Sequence, residues 1–267
     1  MKSILVMVAT MVMLSSVVVY ADESKESEAE LAKKLQNPIA DLISIPIQNN
    51  WDFGIGPKDA YRYTANVQPV IPFSITDDWN VITRTILPIM HTEAPYPGMD
   101  DATGLGDTVQ SFFFSPKEPT SNGWIWGVGP VFLWPTSSDR LLGTGKTGAG
   151  PTGVMLKQEG GWTYGLLANH LWSFAGPDSS PDVNATFIQP IFSYTTKTFT
   201  SVGFTIESTY DWDAREWTVP LNLNVAQLLK IGGVPLQFLA GPRFFLDRPD
   251  GGPDFGLRFQ VTFLLPS

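Results

Sequence analysis

The sequence predicts an all-β fold, a closed barrel of about twelve antiparallel up-and-down strands. Many segments of strand length alternate between apolar and polar residues, and a period of two places successive side chains on opposite faces of a strand. Turn-forming residues separate these segments, and the connections alternate between short and long. A chain of 267 residues is long enough to form such a barrel as one domain.

The closing stretch, residues 254–265, is the strand that decides the environment. Its apolar residues occupy every second position, namely Phe255, Leu257, Phe259, Val261, Phe263 and Leu265. Arg258 and Gln260 lie between them. A soluble barrel would turn the apolar stripe inward, whereas a membrane barrel turns it toward lipid and keeps polar residues in the lumen. Charged residues recur on the polar faces of other segments, which a dry core rarely accepts. The pattern therefore favours a transmembrane barrel.

The same alternation identifies side chains that would project into the lumen. They are Arg62, Asn66, Gln68, Arg84, Lys157, Glu207, Asn222, Asn224, Gln237, Arg243, Arg258 and Gln260. These residues could line a permeation path, or they could pair with one another and seal it. About eight strands leave an interior filled by side chains, and roughly 16–18 leave an aqueous channel. A barrel of about twelve lies between these cases, so both alternatives stay open.

Aromatic residues predict two girdles at the membrane surfaces. Tyr63 and Phe73, Trp124 and Trp134, and Trp162 and Trp172 are pairs separated by ten residues. Ten residues of strand span ~33 Å, and a tilt near ~40° reduces this length to ~25 Å along the membrane normal. That is the height of the apolar band of an outer-membrane barrel. Any single pair could instead fill a β-sheet core.

The N-terminal residues predict export. Residues 1–21 resemble a signal peptide, with Lys2 before a largely apolar stretch and Val19-Tyr20-Ala21 at the cleavage position. An uncleaved anchor is the alternative, although the apolar stretch is short for a span of ~20 residues. Residues 22–38 predict a charged, solvated periplasmic lead-in helix or arm, and residues 39–267 the barrel.

Connections in the predicted barrel indicate its orientation. Short turns on one side and longer loops, such as residues 92–103 and 136–147, on the other are typical of Gram-negative outer-membrane barrels. We therefore expect outer-membrane lipid, lipopolysaccharide and the outer-membrane assembly machinery as partners. The aspartates of the long loops could bridge divalent cations to lipopolysaccharide. Solvated acidic loops are the alternative.

Composition excludes several other function classes. Only Lys2 of the 17 basic residues lies in the signal segment, so its removal changes the net charge from −9 to −10. Such an acidic chain is a poor candidate for binding nucleic acid. The chain has no cysteine, which removes disulfides and thiolate metal sites. We expect no cofactor and no metal site.

The sequence offers one weak candidate for a catalytic pair of residues. His91 and His170 are the two histidines, and Ser173 lies close to His170 in the sequence. A lipid-modifying barrel enzyme would need a serine and a histidine within hydrogen-bond reach, with a third group that orients the ring. This spacing matches no recognised signature, so we predict that the chain is not an enzyme.

Six stretches resemble a bacterial family. They are ELAKKLQNPIADLISIPIQNNWDFGIG from Glu30, GDTVQSFFFSPKEPT from Gly106, GWIWGVGPVFLWPT from Gly123, ANHLWSFAG from Ala168, ESTYDW from Glu207 and DGGPDFGLRF from Asp250. The family is catalogued as outer-membrane proteins of the phenol meta-degradation pathway, and its members are often called transporters or labelled neuromedin U. The resemblance implies an outer-membrane barrel with a transport role, and it implies no catalytic residues.

The leading functional hypothesis is passive passage of small solutes, including aromatic or hydrophobic ones. The alternatives are a sealed structural or loop-presenting barrel and, less favoured, the lipid-modifying enzyme.

Overall fold

The computed structural model describes residues 28–265. The predicted signal peptide and the last two residues lie outside this range. The described elements are α1 (Glu28–Lys34), β1 (Ile43–Ile55), β2 (Ala60–Val67), β3 (Val70–Ser74), β4 (Trp79–Thr92), β5 (Ala102–Leu105), β6 (Thr108–Pro116), β7 (Trp124–Trp134), β8 (Thr147–Glu159), β9 (Trp162–Ala175), β10 (Asn184–Thr195), β11 (Thr200–Ile206), β12 (Ser208–Asp211), β13 (Glu216–Thr218), β14 (Pro220–Ile231), β15 (Val234–Phe245) and β16 (Phe255–Leu265). None of the helices in this range is long and apolar enough to cross a membrane.

Antiparallel pairing closes the sheet into a barrel. β1 pairs with β16 along a register that runs from Ile43 opposite Leu265 to Phe53 opposite Phe255. Four barrel strands consist of two segments each, namely β2–β3, β5–β6, β11–β12 and β13–β14. Within residues 28–265 the barrel therefore has twelve strands, and the predicted all-β fold is confirmed.

The outer surface of the barrel is apolar. In β16, Phe255, Leu257, Phe259, Phe263 and Leu265 are 40–51% exposed, whereas Arg258 is buried. Because successive side chains alternate along a strand, the apolar residues of β16 face outward, and Arg258 on the other face points into the lumen. Large apolar side chains exposed in this number on a soluble protein would be unusual. The arrangement is that of a membrane-spanning barrel.

The predicted girdle aromatics lie at the two ends of the strands. Phe73, Trp124 and Trp162 lie near the end that holds Ile43 and Leu265, which we call the turn end. Tyr63, Trp134 and Trp172 lie near the opposite, loop end. Further aromatic rings join each group: Trp124 contacts Tyr164, with 6.1 Å between ring centroids, and Tyr63 contacts Trp51 at 5.0 Å.

Connections differ in length between the two ends. The turn end holds residues 75–78, 117–123, 160–161, 196–199 and 232–233, and the loop end holds the longer stretches 93–101, 135–146, 176–183 and 246–254. Two short connections, residues 56–59 and 212–215, also lie at the loop end. The loop aspartates support the loops themselves: Asp101 Oδ1 accepts a hydrogen bond from the Ala94 amide at 2.8 Å, and Asp182 pairs with Lys146 at 3.0 Å.

α1 lies inside the turn end of the barrel and is not the solvated helix that its charges suggest. Ala32 is fully buried against the inward-facing side chains of Leu228 and Leu264. Gln158 Nε2 donates a hydrogen bond to the carbonyl oxygen of Lys33 at 2.7 Å. Beyond the helix, Ile39 continues into an apolar cluster on the inner wall. The N-terminal segment therefore occupies the lumen at this end.

Candidate functional site

Eleven of the twelve predicted lumen residues lie on the inner face of the barrel. They are Arg62, Asn66, Gln68, Arg84, Glu207, Asn222, Asn224, Gln237, Arg243, Arg258 and Gln260. Strand register places Asn66 on this face, because Asn66 lies opposite the inward-facing Gln48 on the neighbouring strand. The inner wall in this sector of the barrel is therefore polar.

The prediction for Lys157 is wrong. Val154 and Leu156 are the buried residues of β8, so Lys157 shares the outward face with Met155, which is 48% exposed. Its ammonium group lies 3.1 Å from the carboxylate of Glu159 at the turn end. The physical reason is that the inner wall of the barrel is apolar at β8. In a membrane barrel the polar residues of a strand usually face the lumen, but in β8 the apolar residues do.

A cluster of charges crosses the lumen. The two outer nitrogens of Arg258 donate to the two carboxylate oxygens of Glu207, each at 2.8 Å. Arg243 Nη1 lies 3.9 Å from the same carboxylate, and Arg243 Nε lies 3.0 Å from Asp52 Oδ1. Glu207 lies between β11 and β12, so its bond to Arg258 on β16 spans the two barrel strands formed by β13–β14 and β15. Two planar groups paired in this way form the strongest kind of ion pair.

Amides complete the cluster. Asn50 Oδ1 accepts hydrogen bonds from Arg243 Nη1 and Arg258 Nε, both at 2.8 Å. Further around the wall, Arg84 Nη2 donates to Gln68 Oε1 at 3.0 Å, and the amides of Gln68 and Gln48 are 2.9 Å apart. The cluster therefore extends from β11 through β16 and β1 to β4.

Asp52, Asn50 and Gln48 are functional candidates that the sequence reasoning missed. They occupy alternate positions in β1, and this pattern was a usable signal. Asp52 also has Arg62 as its register partner on β2. Four arginines, Arg62, Arg84, Arg243 and Arg258, thus face two carboxylates, and the described cluster carries an excess of positive charge.

Of the other predicted polar residues, Asn222 and Gln260 form hydrogen bonds with neighbouring residues. Asn222 is fully buried, and its Nδ2 donates to the carbonyl oxygen of Thr205 at 3.2 Å. Gln260 Nε2 donates to Thr262 Oγ1 at 3.0 Å. Gln237 is buried, Asn224 lines the turn-end cavity, and each has one buried polar atom without a hydrogen-bond partner among the described residues. These side chains make a polar wall between the charged cluster and the turn end.

The opposite wall of the lumen is apolar. Phe113, Ile82, Val154, Leu156 and Leu167 form one buried cluster, which also contains Val70 and Ile39. Interior apolar residues on β6, β8 and β9 explain why these strands lack a clean alternation in the sequence, because both of their faces are apolar. The lumen is therefore amphipathic, with a charged sector that faces an apolar one.

Among the cavities formed by residues 28–265, two lie along the barrel interior. One of about 180 Å³ lies on the turn-end side of the charged cluster, bounded by residues 34–42 and by Arg84, Glu207 and Arg258. The other, of about 360 Å³, lies toward the loop end and is lined by Arg62 and residues 140–144. Asn50, Asp52 and Arg243 lie between the two cavities along the barrel wall.

Loop 135–146 folds over the loop end of the lumen, and Asp107 holds it there. The carboxylate of Asp107 accepts hydrogen bonds from the amides of Ser137, Thr144 and Gly145 at 3.1, 2.6 and 2.9 Å. It also accepts one from Thr144 Oγ1 at 3.0 Å. Leu142, in the same loop, is buried. Lys146 then pairs with Asp182, which connects this loop to loop 176–183.

His170 and Ser173 have separate partners. His170 Nδ1 forms a hydrogen bond with Thr186 Oγ1 at 2.7 Å on the outer surface, while Ser173 Oγ lies 3.3 Å from Asp182 Oδ1 and accepts from the Val183 amide. This arrangement gives no support to a serine–histidine pair. Among the described residues, no group of three His, Asp or Glu side chains forms a metal site.

Comparison with solved structures identifies the same architecture. The chain resembles the COG4313 outer membrane channel from Pseudomonas putida F1 with a TM-score of 0.65 and 15% identity, over 84% of this chain and 96% of that chain. At this identity the likeness establishes the fold. The beta domain of the Bordetella autotransporter BrkA is less similar, with a TM-score of 0.46 at 8% identity, over 84% of this chain and 100% of that chain. No family model and no curated protein sequence matches the chain.

Proposed function

We propose that this protein is a Gram-negative outer-membrane channel through which small solutes cross passively. The observation that carries the proposal is the pair of cavities on the two sides of the charged cluster. A barrel that serves only as a wall would gain stability by filling this space, because packed interiors avoid voids. Here the space is lined by arginine, amide and hydroxyl groups, which are hydrated easily, together with apolar side chains.

The charged cluster is the barrier in this route. The ion pair between Arg258 and Glu207 separates the two cavities, and solute passage requires its side chains to move. Loop 135–146 and the segment of residues 28–42 narrow the two ends. We infer a narrow, selective conduit with modest conductance, in contrast to a wide general pore.

The solute class follows from the amphipathic lumen. A polar molecule would use the arginine wall, while an aromatic or aliphatic body would contact the cluster around Phe113 and Leu156. The sequence resemblance to proteins associated with the phenol meta-degradation pathway, and the fold shared with an outer membrane channel, support small aromatic solutes. Lipopolysaccharide around the loop end and the outer-membrane assembly machinery are the partners that this location implies.

A sealed barrel is the second candidate, and the bidentate pair at 2.8 Å favours it. The two functions make different predictions for Glu207→Gln. In a channel, the loss of the pair raises solute permeability. In a sealed barrel, permeability stays at the background of empty vesicles, although stability falls in both cases.

The experiment is liposome swelling with the purified mature chain and a series of small neutral and charged solutes. The proposal predicts swelling above that of protein-free liposomes for at least the smallest solutes, with a steep decline as size increases. Absence of swelling for every solute, in liposomes that contain folded protein, would reject the channel.

A further inference from the structure

The larger cavity at the loop end has the properties of a binding site. This cavity, which we call the vestibule, lies between the inner faces of β2 and β4 and the two loops 135–146 and 176–183. Its volume of about 360 Å³ falls within the range of ~300–1,000 Å³ that is usual for small-molecule sites. It is separated from the turn-end cavity by Asp52 and Arg243.

Two guanidinium groups face the vestibule. Arg62 comes from the barrel wall, and Arg140 comes from the loop, where its Nη2 donates to Ser179 Oγ at 3.1 Å. Arg62 Nε is buried and has no hydrogen-bond partner among the described residues. Because a buried donor without an acceptor costs free energy, an anionic ligand that accepts from Arg62 would recover part of that cost.

The carboxylates near Arg62 are already engaged. Asp52 is its register partner on β1, but the carboxylate of Asp52 contacts Arg243 at 3.0 Å. Asp182 pairs with Lys146, and Asp107 accepts four hydrogen bonds from loop 135–146. None of the described residues that line the vestibule is acidic. Arg62 therefore shares Asp52 with Arg243, and no acidic side chain on the described vestibule lining competes with a ligand for its guanidinium group.

The remaining lining is apolar or carries hydroxyl groups. Met90, Leu141, Leu142 and Pro181 supply apolar surface, and Thr144 and Ser179 supply hydroxyls. Arginine binds a carboxylate through two parallel hydrogen bonds, and the apolar side chains would receive the rest of a small organic molecule. An inorganic anion would use the arginines and leave this apolar surface wet.

We propose that the vestibule binds small organic monoanions with an apolar body, of which aromatic carboxylates are the simplest class. The role of this site rests on the proposed channel function. In a channel, the vestibule would bind the solute before the solute enters the lumen. Binding itself requires no conduction, so an equilibrium measurement tests the site independently of transport.

The test is isothermal titration of the folded, detergent-solubilised mature chain with benzoate, with benzamide as a neutral molecule of the same shape, and with inorganic phosphate. We expect benzoate to bind at least about tenfold more tightly than benzamide and phosphate, since a charge-assisted pair is worth at least one such factor. Arg62→Gln should weaken benzoate binding by about tenfold and leave benzamide unchanged. Arg140→Gln, in an exposed loop, should weaken it by a smaller factor.

The matched control is Arg248→Gln, which removes an arginine that pairs with Asp254 in another loop and should leave benzoate binding unchanged. Arg62→Lys keeps the charge at the wall and should retain part of the affinity if Arg62→Gln fails to fold. Equal affinity for benzoate and benzamide, or phosphate binding as tight as benzoate binding, would overturn the proposal. Binding of benzoate by a protein that does not swell liposomes would retain the site and reject only the channel.

Discussion

Arg258 and Glu207, which lie three barrel strands apart, are joined through two parallel hydrogen bonds of 2.8 Å each. Their positions are 51 residues apart in the chain, and two barrel strands separate them around the wall. The Arg258 side chain is 5% exposed and that of Glu207 is 19% exposed. Both side chains line the turn-end cavity, and under the proposed function they lie on the route of the solute.

Removing one partner of this pair should destabilise the barrel. We expect Arg258→Gln or Glu207→Gln to lower the free energy of unfolding by roughly 3 kcal/mol, because each change leaves a buried charge without its partner. The double variant should lose less than the sum of the two single losses. Urea unfolding in lipid vesicles, followed by tryptophan fluorescence, measures all three values. Lys230→Gln is the control, because it breaks an exposed ion pair to Glu28 that is worth about 0–1 kcal/mol.

Asp107 should control the position of loop 135–146. Asp107→Ala removes the acceptor of four hydrogen bonds, and we expect the loop to become susceptible to protease and ion conductance to rise. Limited proteolysis with mass mapping and planar-bilayer recording measure the two effects. Asp247→Ala in loop 246–254, between β15 and β16, is the control and should change neither. Unaltered cleavage in Asp107→Ala would show that another contact holds the loop.

Acid should loosen the connection between the two long loops. The Lys146 ammonium, which donates a hydrogen bond to Asp182 at 3.0 Å, holds the pKa of that carboxyl below its ordinary value of 3.8, with help from Ser173. Because the folded pKa is depressed, the contact contributes stability above the unfolded pKa and loses it as the pH falls through the folded pKa.

Hydrogen exchange in residues 135–146, corrected for intrinsic rates, should therefore increase between about pH 5 and about pH 3. Asp182→Asn should already show the faster exchange at about pH 5 and should respond little to acid. Equal protection of the original protein at both pH values would contradict this account of the contact.

A charged side chain on the outer surface should destabilise the barrel more strongly the closer it lies to the middle of the apolar band. Val225 is 54% exposed on the outer face of β14, in the middle of the apolar band. We expect Val225→Arg to lower the free energy of unfolding in lipid by about 2–4 kcal/mol, and Leu265→Arg at the turn end by about 0–1 kcal/mol. Urea unfolding from vesicles compares the two. Equal costs at both positions would argue against a bilayer around this surface.

The all-β barrel was predictable because strand alternation is a local property. In β16 the period of two separates Phe259 and Phe263 from Arg258, and this separation is visible without tertiary information. The charged cluster was only partly predictable. Its arginines stand out by parity, but the contact of Arg258 with Asn50 depends on closure between β1 and β16, which residue spacing does not encode.

Three features could not be predicted from the sequence, because they depend on which residues fill the lumen. The apolar wall on β8 reverses the face of Lys157, since Leu156 packs inward against Phe113 and its neighbours. α1 reads as a solvated helix, yet Ala32 is buried against the inner wall. The sequence of loop 135–146 indicates an ordinary external loop. Its inward fold depends on Asp107, which lies 30 or more residues away in the chain from the groups that it binds.

The most direct test of the channel is single-channel conductance of the mature chain in planar bilayers, with the original protein and Glu207→Gln/Arg258→Gln compared at equal protein incorporation. The account predicts small, reproducible conductance steps for the original protein and larger steps for the double variant, because the polar contact between the cavities is removed. A flat current for both proteins, with the barrel folded and inserted, would contradict it.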